Sequence, residues 1–209
     1  MRTPSEKLKE RWLKALLDEV ETRGWTRGAL HRAAETAGLS EGEQALAAPN
    51  GVNDLIDHFF DKAAEKTRRQ LGKEDLDALR VHERVARGLR VWLDVLEPDK
   101  VAVRRAAGRG LLPWGAGAAT RRIWRIADVI WEAAGDTATD YNRQTKRALL
   151  SVVIPDIVLR WLATADQDKI DALIMRRLKQ AMKLGQAGGK VLKPVLDAVE
   201  ARRKPRSET

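Results

Sequence analysis

An all-α bundle is the fold this sequence predicts, and three observations carry the prediction. Ala, Leu, Arg, Glu and Lys dominate the 209 residues, and these side chains lose least on entering a helix. Apolar residues recur every three or four positions in one segment after another. Gly and Pro fall between those segments, where helices must stop. No run alternates as a half-buried strand would, and no internal repeat is visible.

The elements follow in order. Glu6 to Thr22 carries Leu8, Trp12, Leu16 and Val20 on one stripe and ends at Gly24. Arg27 to Ala37 is a short helix stopped by Gly38, and Ser40 caps a third before Pro49-Asn50-Gly51. Val52 to Leu71 turns Leu55, Ile56, Phe59, Phe60 and Ala63 inward. Asp75 to Leu96 is expected as one helix built on Leu79, Val85, Leu89 and Trp92. Glu97-Pro98 separates it from a helix to about Gly110, and a turn at Leu111 to Gly115 leads into Ala118 to Ala134. Gly135 closes that helix, and Thr137-x-x-Asp140 is a capping-box pattern for the next, Tyr141 to Leu162, with a kink expected near Pro155. Lys169 to Leu184 is a further helix, Gly185 to Gly189 a flexible linker, and Lys190 to Arg203 a separate amphipathic segment.

Trp25 followed by Leu30-His-Arg-Ala33-Ala34-Glu-Thr-Ala37-Gly38-Leu39-Ser40 resembles the start of a TetR-type helix-turn-helix, where small residues let two helices cross closely. The second helix would run Glu41-Gly-Glu43-Gln44-Ala-Leu-Ala-Ala, with two acids and no Lys or Arg. Contacts to phosphate supply much of the free energy of DNA binding, so such a helix is repelled by the groove. The motif is therefore degenerate, and no nucleic acid is expected as a partner. A TetR-type ligand-responsive transcriptional regulator remains the rival function. The resulting division is a degenerate helix-turn-helix region over 1–72, a helical bundle over 73–184, and a linker and tail over 185–209.

Composition narrows the chemistry. Without Cys there can be no disulfide, thiol catalysis or Cys-ligated metal. His31, His58 and His82 form no His-x-x-x-His or Glu-x-x-His pair, and no Gly-x-x-x-x-Gly-Lys loop occurs. Asp136 and Asp140 are better placed to cap helices than to act as an acid–base pair, so no enzyme, cofactor or metal is expected. No apolar run approaches the roughly 18 residues of a membrane span, and the first ten residues lack a signal- or transit-peptide pattern. The expectation is a cytoplasmic or peripheral membrane protein.

The net charge is +9, concentrated in two places. Lys100 to Ala127 holds seven basic residues and no acid, and Arg176 to Arg206 holds ten against Asp197 and Glu200. Anionic lipid headgroups, RNA or phosphate at the Lys100 to Arg125 cluster, and merely solvated faces all fit this pattern. In the tail, Val191, Leu192, Val195, Leu196 and Val199 make one apolar stripe flanked by Lys190, Lys193, Arg202, Arg203 and Lys204. That is the pattern of a helix lying on an anionic membrane surface, or of one docked on its own bundle or a sister subunit.

In the helix Ile123 to Ala134, Ile123, Ile126, Ala127, Ile130 and Ala134 share a face. Trp124, Asp128 and Trp131 lie to one side of it, either wrapped around the core edge or turned toward a partner. The run Trp124-Arg-Ile-Ala-Asp128-Val-Ile-Trp131-Glu-Ala-Ala-Gly135-Asp136-Thr-Ala-Thr-Asp140-Tyr141-Asn142-Arg-Gln-Thr145-Lys146-Arg147-Ala-Leu-Leu150 is similar to the hallmark of the COQ9 family. That hallmark has Asp-x-x-Trp, then Ala-Gly-Asp-x-Ser/Thr-x-Asp-Phe/Tyr-Asn, then Thr-Lys/Arg-Arg and a Leu-rich helix. Departures are Glu132 and Gln144 where the family often has aromatics, Pro155 in the following helix, and a shorter Asp166 to Arg176 segment lacking a Trp.

The resemblance implies a TetR-like fold without DNA binding and with a cavity for isoprenoid lipids, including ubiquinone intermediates. It implies an accessory role in ubiquinone synthesis, handing substrate to the COQ7-type di-iron hydroxylase. The partner surface then maps onto Asp128 and Trp131, with Trp124 added by its place on the same flank of the helix, and the C-terminal amphipathic helix touches the membrane. Candidate lipid-facing residues are Ile126, Ile130, Leu149, Val152, Val153 and Ile157, though such a helix can line a cavity or fill a core equally well. The implied location is the cytoplasmic face of a bacterial inner membrane, or the mitochondrial matrix side, and a homodimer is compatible with it.

Overall fold

Thr3 accepts a hydrogen bond from the Glu6 N–H at 3.2 Å while the Glu6 carboxylate accepts from the Thr3 N–H at 2.7 Å, and this reciprocal cap starts α1, Pro4–Arg23. The computed structural model describes residues 3–108, 117–137 and 141–187. The expected turn at Leu111 to Gly115, the Thr137 to Asp140 capping box and the tail stripe Val191, Leu192, Val195, Leu196 and Val199 all lie outside the described residues. Among the described residues every regular element is helical. The order is α1, α2 (Arg27–Thr36), α3 (Glu41–Ala47), α4 (Val52–Leu71), α5 (Val81–Leu96), a 3-10 turn (Glu97–Asp99), α6 (Lys100–Ala107), α7 (Ala118–Ala133), α8 (Tyr141–Ala163) and α9 (Gln167–Ala187).

A main hydrophobic core joins the described helices from α1 to α9, with smaller clusters beside it. Trp12, Leu16 and Val20 of α1 belong to the same buried cluster as Ile174, Leu178 and Ala181 of α9. The 1–72 and 73–184 segments thus share a core. Helices α4, α5, α7 and α8 meet at its centre, and α9 packs against α8 and α5.

The indoles tie distant helices together. Trp12 Nε1 donates to the Leu30 carbonyl at 3.0 Å, Trp25 Nε1 to the Ala102 carbonyl at 2.9 Å, and Trp161 Nε1 to Glu97 Oε2 at 2.7 Å. Each ring buries a large apolar area, and its single N–H finds an acceptor, as a buried indole requires.

Two expectations need correction. The helix expected from Asp75 begins only at Val81. Asp75 instead accepts from the Asp77 N–H at 3.0 Å, and Arg84 holds the carbonyls of Leu79 and Asp77 at 2.9 and 3.0 Å. These bonds give the backbone a turn in place of a helix. Leu76 and Leu79 still turn inward, against Leu71 and Val91. At the other end α9 continues through Gly185 to Ala187. A single Gly costs a helix only about 1 kcal/mol relative to Ala, too little by itself to end one already anchored upstream by Ile174, Leu178 and Ala181. Pro155 sits inside α8, and the helix continues on both sides of it.

Close packing fixes the α5–α7 crossing. A Cβ on Gly88 would stand 2.8 Å from Ile130 Cγ2, so only glycine lets the two backbones approach this closely.

Candidate functional site

The site is built on α7 and α8, which run antiparallel across a short connection. α7 ends in a left-handed Gly135 (φ 84°), with the Gly135 N–H bonded to the Glu132 carbonyl and the Asp136 N–H to the Trp131 carbonyl, each at 3.0 Å. This closing pattern is the one Gly supports best, and it delivers Asp136 to the α8 side of the turn. There the Arg147 guanidinium is gripped by two acids. Its Nη1 donates to Asp136 Oδ2 at 2.7 Å and its Nε donates to Asp128 Oδ1. Arg143 Nη2 adds a bond to the same Asp128 oxygen at 2.9 Å, and Lys146 Nζ donates to Asp136 Oδ1 at 2.7 Å.

The Arg147 and Asp136 side chains are only 2% and 3% exposed, so this ion pair is a buried one. Burial pushes both carboxyls up. The bonds from Arg147 and Arg143 at Asp128, and from Lys146 and Arg147 at Asp136, together pull harder, and both carboxyls end below their ordinary range. They are ionised throughout the neutral range.

Trp131 lies over the rim of this cluster, half-buried. Its Nε1 donates to the Lys146 carbonyl at 3.1 Å, and the Lys146 ammonium stands 5.4 Å from the ring centroid. Trp124, one face along, packs on Ala148 and Leu149 of α8. Asp128, Trp124 and Trp131 thus share the α8-facing flank of α7, and all three retain partial exposure.

Beside this clasp is an apolar pocket. Ile123 and Ile126 of α7, Ile154, Pro155, Val158 and Leu159 of α8, Phe60 of α4, Trp92 of α5 and Val103 of α6 form its walls. Arg122 is the one charged group among them, with its Nε hydrogen-bonded to Asp57. The free space between these walls is about 30 Å³, far below the ~300–1,000 Å³ of ordinary ligand pockets.

Of the candidate lipid-facing residues, Ile126 lines this pocket. Ile130 packs against Gly88, and Val153 and Ile157 are buried in the core. Leu149 is half-buried against Trp124, and Val152 is 58% exposed. Phe60 and Trp92 were read from the sequence only as inward-facing residues, and Val103 not at all, because three separate segments supply these walls. Asp136, Lys146 and Arg147 were present in the hallmark run, but nothing in their spacing alone joined them to Asp128 and Trp131.

The basic run from Lys100 to Arg125 is largely consumed inside the chain. Arg122 and Arg121 meet Asp57, Arg125 meets Asp61 and Glu65, Arg104 donates to the Leu162 carbonyl, and Lys100 to Glu97 and the Thr164 carbonyl. The helix-turn-helix is similarly occupied. Gln44 donates to the Leu39 carbonyl at 2.9 Å, and Glu43 closes a capping box with Ser40.

These features define a class: an all-α protein of TetR-like fold whose second motif helix is acidic. The TetR transcriptional regulator from Nitrosomonas europaea superposes with a TM-score of 0.64 at 18% identity, over 83% of this chain and 97% of that one. Residues 116–185 match the model of the COQ9 family, over a stretch that contains the hallmark run read from the sequence. The chain is 25% identical to the mitochondrial ubiquinone biosynthesis protein COQ9 of Homo sapiens over 195 residues, which is 89% of this chain and 61% of the relative. It is 26% identical to the COQ9-A protein of Xenopus laevis, over 87% of this chain and 60% of that protein. The chain therefore spans about three fifths of the length of the curated relatives it matches. No helix among the described residues is long and apolar enough to cross a membrane.

Proposed function

We propose that this chain is a non-catalytic lipid-binding accessory protein of ubiquinone synthesis. In this proposal it presents isoprenoid quinone intermediates to a COQ7-type di-iron hydroxylase at a membrane surface. The observation that carries the proposal is a coincidence of place. The COQ9 match falls on α7, α8 and α9, and α7 and α8 hold both the apolar pocket wall and the Trp131 edge. The hallmark carboxylates Asp128 and Asp136 are committed to Arg143, Lys146 and Arg147, an arrangement suited to architecture and not to proton transfer.

An isoprenoid chain entering the pocket gains about 25 cal/mol for each Å² of apolar surface it buries. The resting space is too small for it, so α8 must shift at Pro155 and Leu159. Pro155 has already removed one backbone hydrogen bond from α8 at that wall, which makes this its softest turn. The tail stripe Val191, Leu192, Val195, Leu196 and Val199, with its basic flanks, is the proposed membrane contact. Peripheral attachment to the cytoplasmic face of a bacterial inner membrane, or the matrix face in mitochondria, follows from that assignment.

Native mass spectrometry of the purified protein with solvent extraction tests the proposal. A co-purifying polyprenyl quinone or its phenolic precursor is expected, and bulk phospholipid alone would defeat it. The fold shared with the Nitrosomonas europaea TetR regulator favours a second reading, a TetR-type ligand-responsive transcriptional regulator. The acids and the tied amide of α3 oppose it, and a salt-dependent gel shift on genomic fragments would establish it.

A further inference from the structure

This inference rests on the docking role proposed for Trp131 and concerns what sets its geometry. An indole at a protein edge swings about two side-chain bonds, and fixing it before docking lowers the entropy lost on binding. Here the ring is held twice from α8, through Nε1 to the Lys146 carbonyl and through the Lys146 ammonium over its face. The ammonium is in turn anchored by Asp136, whose side chain is buried and whose backbone place is set by the Gly135 turn. A continuous line of contacts thus runs from the end of α7 through Asp136 and Lys146 to Trp131.

The same cluster decides what Asp128 can offer. Its Oδ1 accepts from both Arg143 and Arg147, so a partner's cation meets a carboxylate, 29% exposed, whose charge is already shared between two guanidinium groups. Among the described residues of the α7–α8 rim, Asp128, Glu132 and Asp136 face Arg143, Lys146 and Arg147, three acids against three bases. Glu132 also takes Arg68 of α4 at 2.9 Å.

We propose that Asp136, Lys146 and Arg147 are positioning residues for the docking surface. They pin the Trp131 indole at one height and draw the Asp128 carboxylate inward. The partner then meets an electrically balanced indole edge and answers it with an apolar recess, not a cation. Asp128 acts through Arg147 and makes no ion pair of its own across the interface.

The test uses the full chain labelled with 5-fluorotryptophan, with Trp131→Phe assigning the fluorine resonance, and a COQ7-type hydroxylase as the binding probe. Lys146→Met keeps the stem against the ring and removes the bond to Asp136. The Trp131 resonance of the free protein should shift or broaden, and affinity should fall about tenfold. The thermal midpoint should hold within a few degrees, and Lys146→Arg should restore both signals. A purely structural role would move the midpoint and leave the resonance of the folded protein where it was. An unmoved resonance in Lys146→Met overturns the positioning role. So does unchanged affinity in that variant when Trp131→Lys abolishes binding. A steep salt dependence that Asp128→Asn removes would overturn the balanced edge. If Trp131→Lys binds like the wild type, the docking role itself falls, and the free-protein resonance still decides the positioning role by itself.

Discussion

Two pairs of consecutive helices, α2–α3 and α7–α8, spend their polar groups differently. In the first pair the bonds stay at each helix end or run to α1, which reaches the Leu30 carbonyl through Trp12, the Leu46 carbonyl through Ser5 and Glu43 through Arg11. Ser40 and Glu43 cap α3, and Gln44 folds back on Leu39, all within five residues. In the second pair the bonds cross between helices, from Asp128, Trp131 and Asp136 to Arg143, Lys146 and Arg147. Local bonds fix one helix end and leave little to read a partner with. Bonds between helices fix the relative placement of two elements, and a surface built across both inherits that rigidity. The difference teaches that the two pairs are separately braced, so a change in one need not disturb the other.

The largest effect should come from breaking the cross-helix clasp. Arg147→Ala leaves Asp136 buried and short of its partner, and removing one member of a buried pair costs about 3 kcal/mol or more. Urea unfolding should show this as a lower midpoint with an unchanged slope. A loss below about 1 kcal/mol would mean that water replaces the guanidinium and that the clasp does not brace α7 on α8. Next comes the apolar contact below it. Gly88→Ala drives a methyl group into Ile130, whose branched side chain has little room to turn, and should cost about 1–3 kcal/mol. Comparing the two variants separates a polar brace from a steric one on the same helix.

The fold was largely legible because it depends on periodicity. The bounds of α4 follow from an apolar stripe between Pro49-Asn50-Gly51 and Gly72, and α7 from a stripe ending at Gly135. Residues 75–80 were not legible as a turn, because their apolar spacing at Leu76 and Leu79 suits a helix equally well. Only the Arg84 side chain, reaching back to two carbonyls, decides it. At the site, Trp124, Asp128 and Trp131 stood apart on a helical wheel, whereas the direction in which Asp128 points depends on Arg147, 19 residues away. Helical spacing cannot register a bond between helices. The resemblance to the COQ9 hallmark spanned both halves of that bond without saying that they touch.

Acidity should sharpen the comparison with a moderate effect. Asp128 and Asp136 have folded-state values lowered by their basic partners, so the unfolded chain binds more protons between the lowered values and about 3.9. Their contribution is complete above that upper limit and fades as pH falls through the lowered values. His58 behaves alike at higher pH, since burial and then the Lys62 and Lys9 charges lower its value, so its contribution is complete only above about 6.5. Unfolding midpoints should therefore fall in two stages on acidification. Asp136→Asn should flatten the more acidic stage and His58→Gln the less acidic one. A wild-type and an Asp136→Asn profile that stay parallel below pH 4 would separate the clasp from acid stability.

The smallest effect belongs to the other helix pair. Ser40 accepts from the Glu43 N–H at 3.3 Å and gives its own N–H to Glu43 Oε2 at 2.9 Å, and Ser40→Ala removes the first of these bonds. Loss of such a cap costs about 1 kcal/mol in general. Here α3 spans only Glu41–Ala47 and is exposed over most of its length, so its end can fray without opening the core behind Ala47. The unfolding midpoint should move by about a degree or two, and amide exchange should accelerate in α3 alone. The Trp131 environment should be untouched, because no bond joins Ser40 to α7 or α8. If Ser40→Ala instead perturbs Trp131 as strongly as Arg147→Ala does, the two helix pairs share one brace, and the independence argued for them is wrong.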